Sequence, residues 1–350
     1  MTLDPLVSPP LFTADLPGIG GRIKSSPEDF EVEEIPAYAP SGTGEYLYLW
    51  VEKRDMGAEY FTRQVARRLK LTPGDVGTAG LKDRRAVTRQ MVSVPARAED
   101  RLPGLDGDGI RLLSVNRHGN KLKPGHLRGN RFLILIRDVD PAAAERLGPL
   151  LERLRRDGLP NYYGPQRFGK DGETARLGLA LLRGERPQLR GRFLRKLALS
   201  AAQSALFNHY LGQRLTDGLF RRVVAGDVMA KWPQGGMFVA EDVAREQERF
   251  DRRETVHAGP IFGRKTFAAA ALAAERETAS LQAAGLRATS FQGFGKLLQG
   301  TRRHNVIYLD DLACAFGPDG VRLSVTLPAG SYATVLLFEL IKSAAASAGE

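Results

Sequence analysis

The stretch RFLILIRDV (Arg131–Val139) sets five consecutive large apolar residues between charged ones. That run is far too short to cross a membrane, which takes roughly 18 residues or more, and it is apolar enough to lie in the middle of a sheet rather than at its edge. A central strand needs partners on both sides, and the chain supplies candidates. EYLYLWVEKR (Glu45–Arg54) alternates as a half-buried strand does, and QMVSVPA and IRLLSVNRHG read the same way. Helical spacing joins Phe61, Val65 and Leu69 in GAEYFTRQVARRLKL. PAAAERLGPLLERLRRDG has a proline inside its start and a glycine at its end, the order a helix prefers. The first half therefore predicts a mixed sheet with helices packed on it, an α+β architecture.

Beyond Gly164 the patterns lengthen into helices, GETARLGLALLRG and then FLRKLALSAAQSALFNHYLGQRLTDG, and a less regular charged region follows. PDGVRLSVTLPAGSYATVLLFELIKSA returns to a strand, a tight turn and a final helix. This order predicts a discontinuous domain of residues 1–163 and 310–350, interrupted by an inserted domain of residues 164–309.

The chain has 350 residues and a net charge of +11, so a polyanion such as nucleic acid is the first partner to consider. One cysteine, Cys314, excludes an internal disulfide framework and cysteine-based zinc or iron–sulfur sites, and fits a reducing cytoplasm. His118, His126, His209, His257 and His304 are dispersed without metal-ligand spacing, and no metal is expected. No signal peptide or membrane span is evident, so a cytoplasmic location is expected.

Several glycine-rich and nucleophile-like signals are weak. PGIGGR is not GxGxxG, GFGKLLQG is not a Walker A loop, and Ser200 and Ser204 lack a nucleophile-elbow pattern. The positive charge is more informative. RHGNKLKPGHLRGNR (Arg117–Arg131) holds five Lys or Arg and two His with no acid, and RGERPQLRGRFLRK (Arg183–Lys196) holds six basic residues against Glu185 alone. Solvated surface explains either run alone, whereas two flanking a candidate site suit RNA or DNA across an interdomain cleft. LPNYYGPQRFG (Leu159–Gly169) adds flat rings and amides after a helix end, suited to unstacked bases or equally to packing two domains together.

One acid stands out in TAGLKDRRAVTRQ (Thr78–Gln90). Asp83 lies between Lys82 and Arg84, with Arg85 beyond, in a small-residue loop that allows close approach of a ligand. Neighbouring cations favour its ionised form, which suits a nucleophile better than an acid, although a surface ion-pair loop is the commoner explanation of such a stretch. That loop, with RIKSSPEDFEVEEI, LRGNRFLILIRDV, PNYYGPQRFG and LPAGSYATVLLFELI in this order, resembles the TruD family of tRNA pseudouridine synthases over nearly the whole chain.

The resemblance implies a pseudouridine-synthase sheet with an inserted α/β domain, tRNA as partner and no cofactor or obligatory protein partner. It implies isomerisation of a tRNA uridine, usually uridine 13, with Asp83 as catalytic aspartate. Lys24 would pair with that carboxylate, Phe30 would line the uridine site, Asn130 would contact the base and Phe132 would stack on it. Tyr332 falls where the family usually has phenylalanine, keeping the ring and adding a hydroxyl. Phosphate and base contacts are expected from Lys82, Arg84, His118, Lys121, Lys123, Arg128, Tyr163, Gln166 and Arg167. A non-catalytic RNA-binding protein of the same fold is the alternative; it would dispense with Asp83 or Lys24, and both are present.

Overall fold

The protein is described by a computed structural model covering residues 8–189 and 191–342. Contacts divide these into two compact units, one of residues 16–155, 309–333 and 340–342, the other of residues 8–15, 156–308 and 334–339. Residues 8–15 and 334–339, far from 156–308 in sequence, thus group with the second unit.

In the first unit, β1 (Gly20–Arg22), β2 (Phe30–Pro36), β3 (Tyr46–Arg54), β4 (Gly77–Thr78), β5 (Val87–Pro95), β6 (Ile110–His118) and β7 (Leu127–Val139) join β14 (Ala313–Gly317) and β15 (Gly320–Pro328) in one sheet. The order is β14-β15-β7-β2-β5-β3-β6, with β1 added to β7 and β4 to β5. Every pair is antiparallel except β2 with β5, so the sheet is mixed. β7 lies inside it, between β15 and β2, as its apolar run predicts. The run still alternates, because Phe132, Ile134 and Ile136 are buried while Leu133 is half exposed. Helix α1 (Ala58–Arg68) covers part of the sheet, packing Phe61 and Val65 on Leu47, Leu49 and Val51 of β3 and Val92 and Val94 of β5. Helix α2 (Ala143–Asp157) ends at Gly158, whose φ of 84° is the left-handed stop that glycine allows.

The second unit holds α3 (Glu173–Leu182), α4 (Arg192–Thr216), α5 (Val243–Asp251) and α6 (Ala271–Ala283). The charged stretch expected to be irregular contains three strands of a sheet of order β10 (Met237–Val239), β9 (Val228–Lys231), β11 (Thr255–Ile261) and β12 (Thr301–His304), the last contributed from further along the chain. Its central strand, TVHAGPI, is buried throughout yet carries His, Gly and Pro, so neither alternation nor an apolar run marks it. A short ribbon pairs β8 (Leu159–Pro160) with β13 (Val306–Ile307), and α7 (Ala333–Ile341) closes the described chain.

The core of this unit includes a closed ionic cluster. Arg214, fully buried, donates to both oxygens of Asp227 at 2.8 and 2.6 Å and to the carbonyls of Leu219 and Arg222. Nearby, buried His257 shares hydrogen bonds with the Phe220 carbonyl and the Asn305 side chain. Burial, with the Arg214 charge acting in the same direction, pushes the His257 imidazole down to about 3, so it stays neutral.

Candidate active site

The candidate residues of the first unit gather through strand register. β2 sets Phe30, Val32 and Glu34 directly opposite Ile134, Phe132 and Asn130 of β7, and paired residues share one face of a sheet. On the far side of β7, Asn130 faces Leu327 and Phe132 faces Val325 of β15. That approach is close: a Cβ on Gly129 would stand 2.3 Å from the Leu327 carbonyl oxygen, so glycine is required beside Asn130.

Asp83 lies in the loop between β4 and β5, and three contacts fix that loop. Lys24 Nζ donates to Asp83 Oδ1 at 2.9 Å; the lysine side chain is 4% exposed and the aspartate 29%, so the pair is anchored inside and open at the carboxylate. Lys53 Nζ donates to the Asp83 backbone carbonyl at 2.8 Å and to that of Met56 at 2.5 Å. Lys82 Nζ donates to Glu34 Oε2 at 2.5 Å with both side chains buried, and the second Glu34 oxygen accepts the Met91 amide at 3.3 Å. The second carboxylate oxygen of Asp83 accepts nothing among the described residues.

Lys24 reaches Asp83 from a left-handed backbone, φ 57°, which costs an ordinary residue on the order of 1 kcal/mol and persists only where the surroundings impose it. Its ammonium also lies 4.4 Å from the centroid of the Phe30 ring. Phe30 and Phe132 meet edge to face at 6.0 Å. Two rings, a cation and a partly open carboxylate thus share one contiguous site. Asn130 points an Oδ1 with no hydrogen-bond partner into buried space, leaving an acceptor for a donor from outside. Tyr332, half-buried, follows the turn closed by the Ser331 amide on the Pro328 carbonyl, just beyond the β15 residues that face Asn130.

Lys53 is fully buried, and burial lowers its ammonium from the ordinary 10.5 to about 8, with Lys82 adding repulsion and Asp83 opposing both. Neither Lys53 nor Glu34 had been picked out as a site residue. Alternation could have found them: Lys53 follows Leu47, Leu49 and Val51 on the inward face of β3, and Glu34 follows Phe30 and Val32 on that of β2. A charged residue at an inward position needs a partner, and each has one.

Lys82 requires correction. It is not a surface phosphate contact, because its ammonium is spent on Glu34 inside the sheet. Arg84 is exposed with no ion pair among the described residues, and Arg85 donates to the Ser25 carbonyl at 2.8 Å. In the first basic run, Lys123 and Arg128 are exposed, whereas Lys121 donates to the Gly74 carbonyl. His118 stacks on Tyr38 at 5.2 Å and accepts the Ser41 amide. Tyr163, Gln166 and Arg167 belong to the second unit. There Arg303 lies 4.1 Å and Arg167 5.7 Å from the Tyr163 ring centroid, Arg167 also donates to Ser204 and Ser200, and Gln166 is exposed. In the second basic run, Arg190 lies outside the described residues. No group of three or more His, Cys, Asp or Glu is placed to hold a metal, and no helix is long and apolar enough to cross a membrane, among the described residues.

The model of the family tRNA pseudouridine synthase D (TruD) matches residues 7–189 and 188–340. The chain is 46% identical over 341 residues to the tRNA pseudouridine synthase D of Anaeromyxobacter sp. (strain Fw109-5), covering 96% of this chain and 97% of that one. It is 43% identical to a protein of that name from Thermus thermophilus, covering 95% and 92%. A solved structure from Methanosarcina mazei, described as a putative tRNA pseudouridine synthase D, matches 98% of both chains with a TM-score of 0.79 at 22% identity, a likeness of fold. A sheet that assembles the Asp83 site, a family model matched along nearly the whole sequence and relatives above 40% identity together lead to one conclusion: the chain belongs to the tRNA pseudouridine synthase D family.

Proposed function

We propose that this protein isomerises a uridine of tRNA to pseudouridine, at position 13, with Asp83 as the catalytic carboxylate. The observation that carries the reading is the 2.9 Å pair between buried Lys24 and the partly open Asp83, set against the Phe30 and Phe132 rings. We further propose a catalytic domain of residues 1–163 and 310–350 and an inserted domain of residues 164–309; the contact units divide nearby, at 155/156 and 308/309, but group residues 8–15 and 334–339 with the second.

The uridine must leave its stack to reach the carboxylate. In the site, Phe132 stacks on the base and Asn130 Oδ1 accepts its N3–H, filling the vacancy at that oxygen. Lys24 holds Asp83 with one oxygen engaged and the other free to act. The bond from ribose C1′ to uracil N1 breaks, the uracil turns, and a bond from C1′ to C5 replaces it. The proton on C5 leaves and N1 gains one, so the reaction balances without oxidant or cofactor. Exposed Arg84, Lys123 and Arg128 supply phosphate contacts around this opening.

The test is to incubate wild type and Asp83→Ala with unmodified tRNA transcripts and map pseudouridine. We expect product at position 13 from wild type and none from Asp83→Ala, with tRNA affinity kept within a few-fold. Equal product from both removes Asp83 from the chemistry; product at another position refutes the target; binding without product in wild type makes this a non-catalytic RNA-binding protein.

A further inference from the structure

At its first turns α4 exposes what an amphipathic helix normally hides. Phe193 is 75% exposed and Leu194 and Leu197 are each more than a third exposed, before the helix buries Ala198, Leu199 and Ala202. Beside these turns lies an open cavity of about 390 Å³, within the roughly 300–1,000 Å³ typical of small-ligand sites. Arg192, Arg195, Phe294, Leu189 and Leu297 line it with two glycines and no carboxylate.

Other arginines of this unit hold acids: Arg214 holds Asp227, Arg302 holds Glu277 and Arg276 holds Asp217. Arg192 and Arg195 have no ion pair among the described residues, and Arg195 lies 5.4 Å from the Phe294 ring centroid. Two unneutralised guanidiniums beside the half-buried Phe294 ring suit what a single unstacked nucleotide carries, an anion and a flat face. A second copy of a chain of net charge +11 would bring repulsion to the same place.

We propose that this cavity binds one unstacked nucleotide of the substrate RNA, with its phosphate between Arg192 and Arg195 and its base against Phe294. The proposal rests on the reading of the protein as one that acts on tRNA, and adds a second nucleotide site, built wholly within the second unit.

The experiment measures tRNA binding over a salt series for the full chain, for Arg192→Gln with Arg195→Gln, and for Phe294→Leu and Phe294→Tyr. The double substitution should weaken binding about tenfold and reduce the slope of log K against log[salt] by about 0.7–0.9, the value for one phosphate. Phe294→Leu should weaken it about tenfold with the slope unchanged, as loss of one stacked base does, and Phe294→Tyr should keep it. Leucine preserves the apolar contact that Phe294 makes with the core, so the melting temperature should not change. Wild-type affinity in the double variant or in Phe294→Leu, or Phe294→Tyr no better than Phe294→Leu, overturns the proposal. So does a wild-type dimer by light scattering that Phe193→Ala dissolves. Loss of binding as stated, in a protein that converts no uridine, supports this site while refuting the enzymatic reading.

Discussion

Asp83 and Arg214 each sit in a buried ionic cluster, one in each unit, and the clusters differ in how completely they are closed. Around Arg214 both carboxylate oxygens of Asp227 are bonded, two carbonyls and the Tyr210 hydroxyl take the remaining guanidinium protons, and nothing faces water. Around Asp83 three lysines are buried, but one carboxylate oxygen and Asn130 Oδ1 are left without partners among the described residues. The closed cluster spends its charge on holding the fold. The open one keeps its donors inside, the Asp83 carboxylate partly open and the Asn130 acceptor buried but unpaired, which costs stability and leaves capacity for a ligand.

Substitutions separate the two. Arg214→Met should have the largest effect, because it strands Asp227 in the interior; we expect a loss of about 3–5 kcal/mol in urea denaturation. A variant as stable as wild type would show that the closed cluster is not structural. Lys24→Met should change stability little, since Asp83 is open enough to rehydrate, yet should lower kcat/KM for tRNA by about a hundredfold. A parallel loss of folding would make Lys24 a member of the structural class.

Lys53 tests the boundary between the classes. Its ammonium is lowered to about 8 while the unfolded chain titrates near 10.5, so between these values the unfolded state binds more protons and stability rises with pH. That contribution is complete above about 10.5 and is lost as pH falls to about 8. Wild type should therefore gain about 1.5 kcal/mol over Lys53→Met between about pH 8 and 9.5, and parallel denaturation curves at the two values would refute it. The smallest effect is expected at Asn130. Asn130→Ala should lower kcat/KM about tenfold with an unchanged melting temperature, because its Oδ1 has no protein bond to lose.

The sheet was legible where alternation is clean. The apolar run of β7, the aromatic alternation of β3 and the capped helix α2 all lie where their patterns put them. The sheet of the second unit was hidden because β9 and β10 span only four and three residues and β11 is buried with polar and helix-breaking residues in it. At the site, Asp83 stood out by its local charges and Lys24 through family likeness. Lys82 was misjudged because the sign of a charge in a loop says nothing of its direction, and only β2 pairing with β5 turns it onto Glu34. Lys53 and Glu34 were written in the inward positions of their strands, a signal that charge alone conceals.

The pairing of β7 with β15 reaches further than geometry. Asn130 meets Leu327 about 200 positions later, and contacts between residues so distant in sequence form late, after the cost of closing the intervening chain has been met. During synthesis the Asp83 loop and Lys24 leave the ribosome long before the strand that completes their floor. A nascent chain that has not yet reached β15 is therefore a cationic polymer whose proposed site still lacks a strand of its sheet.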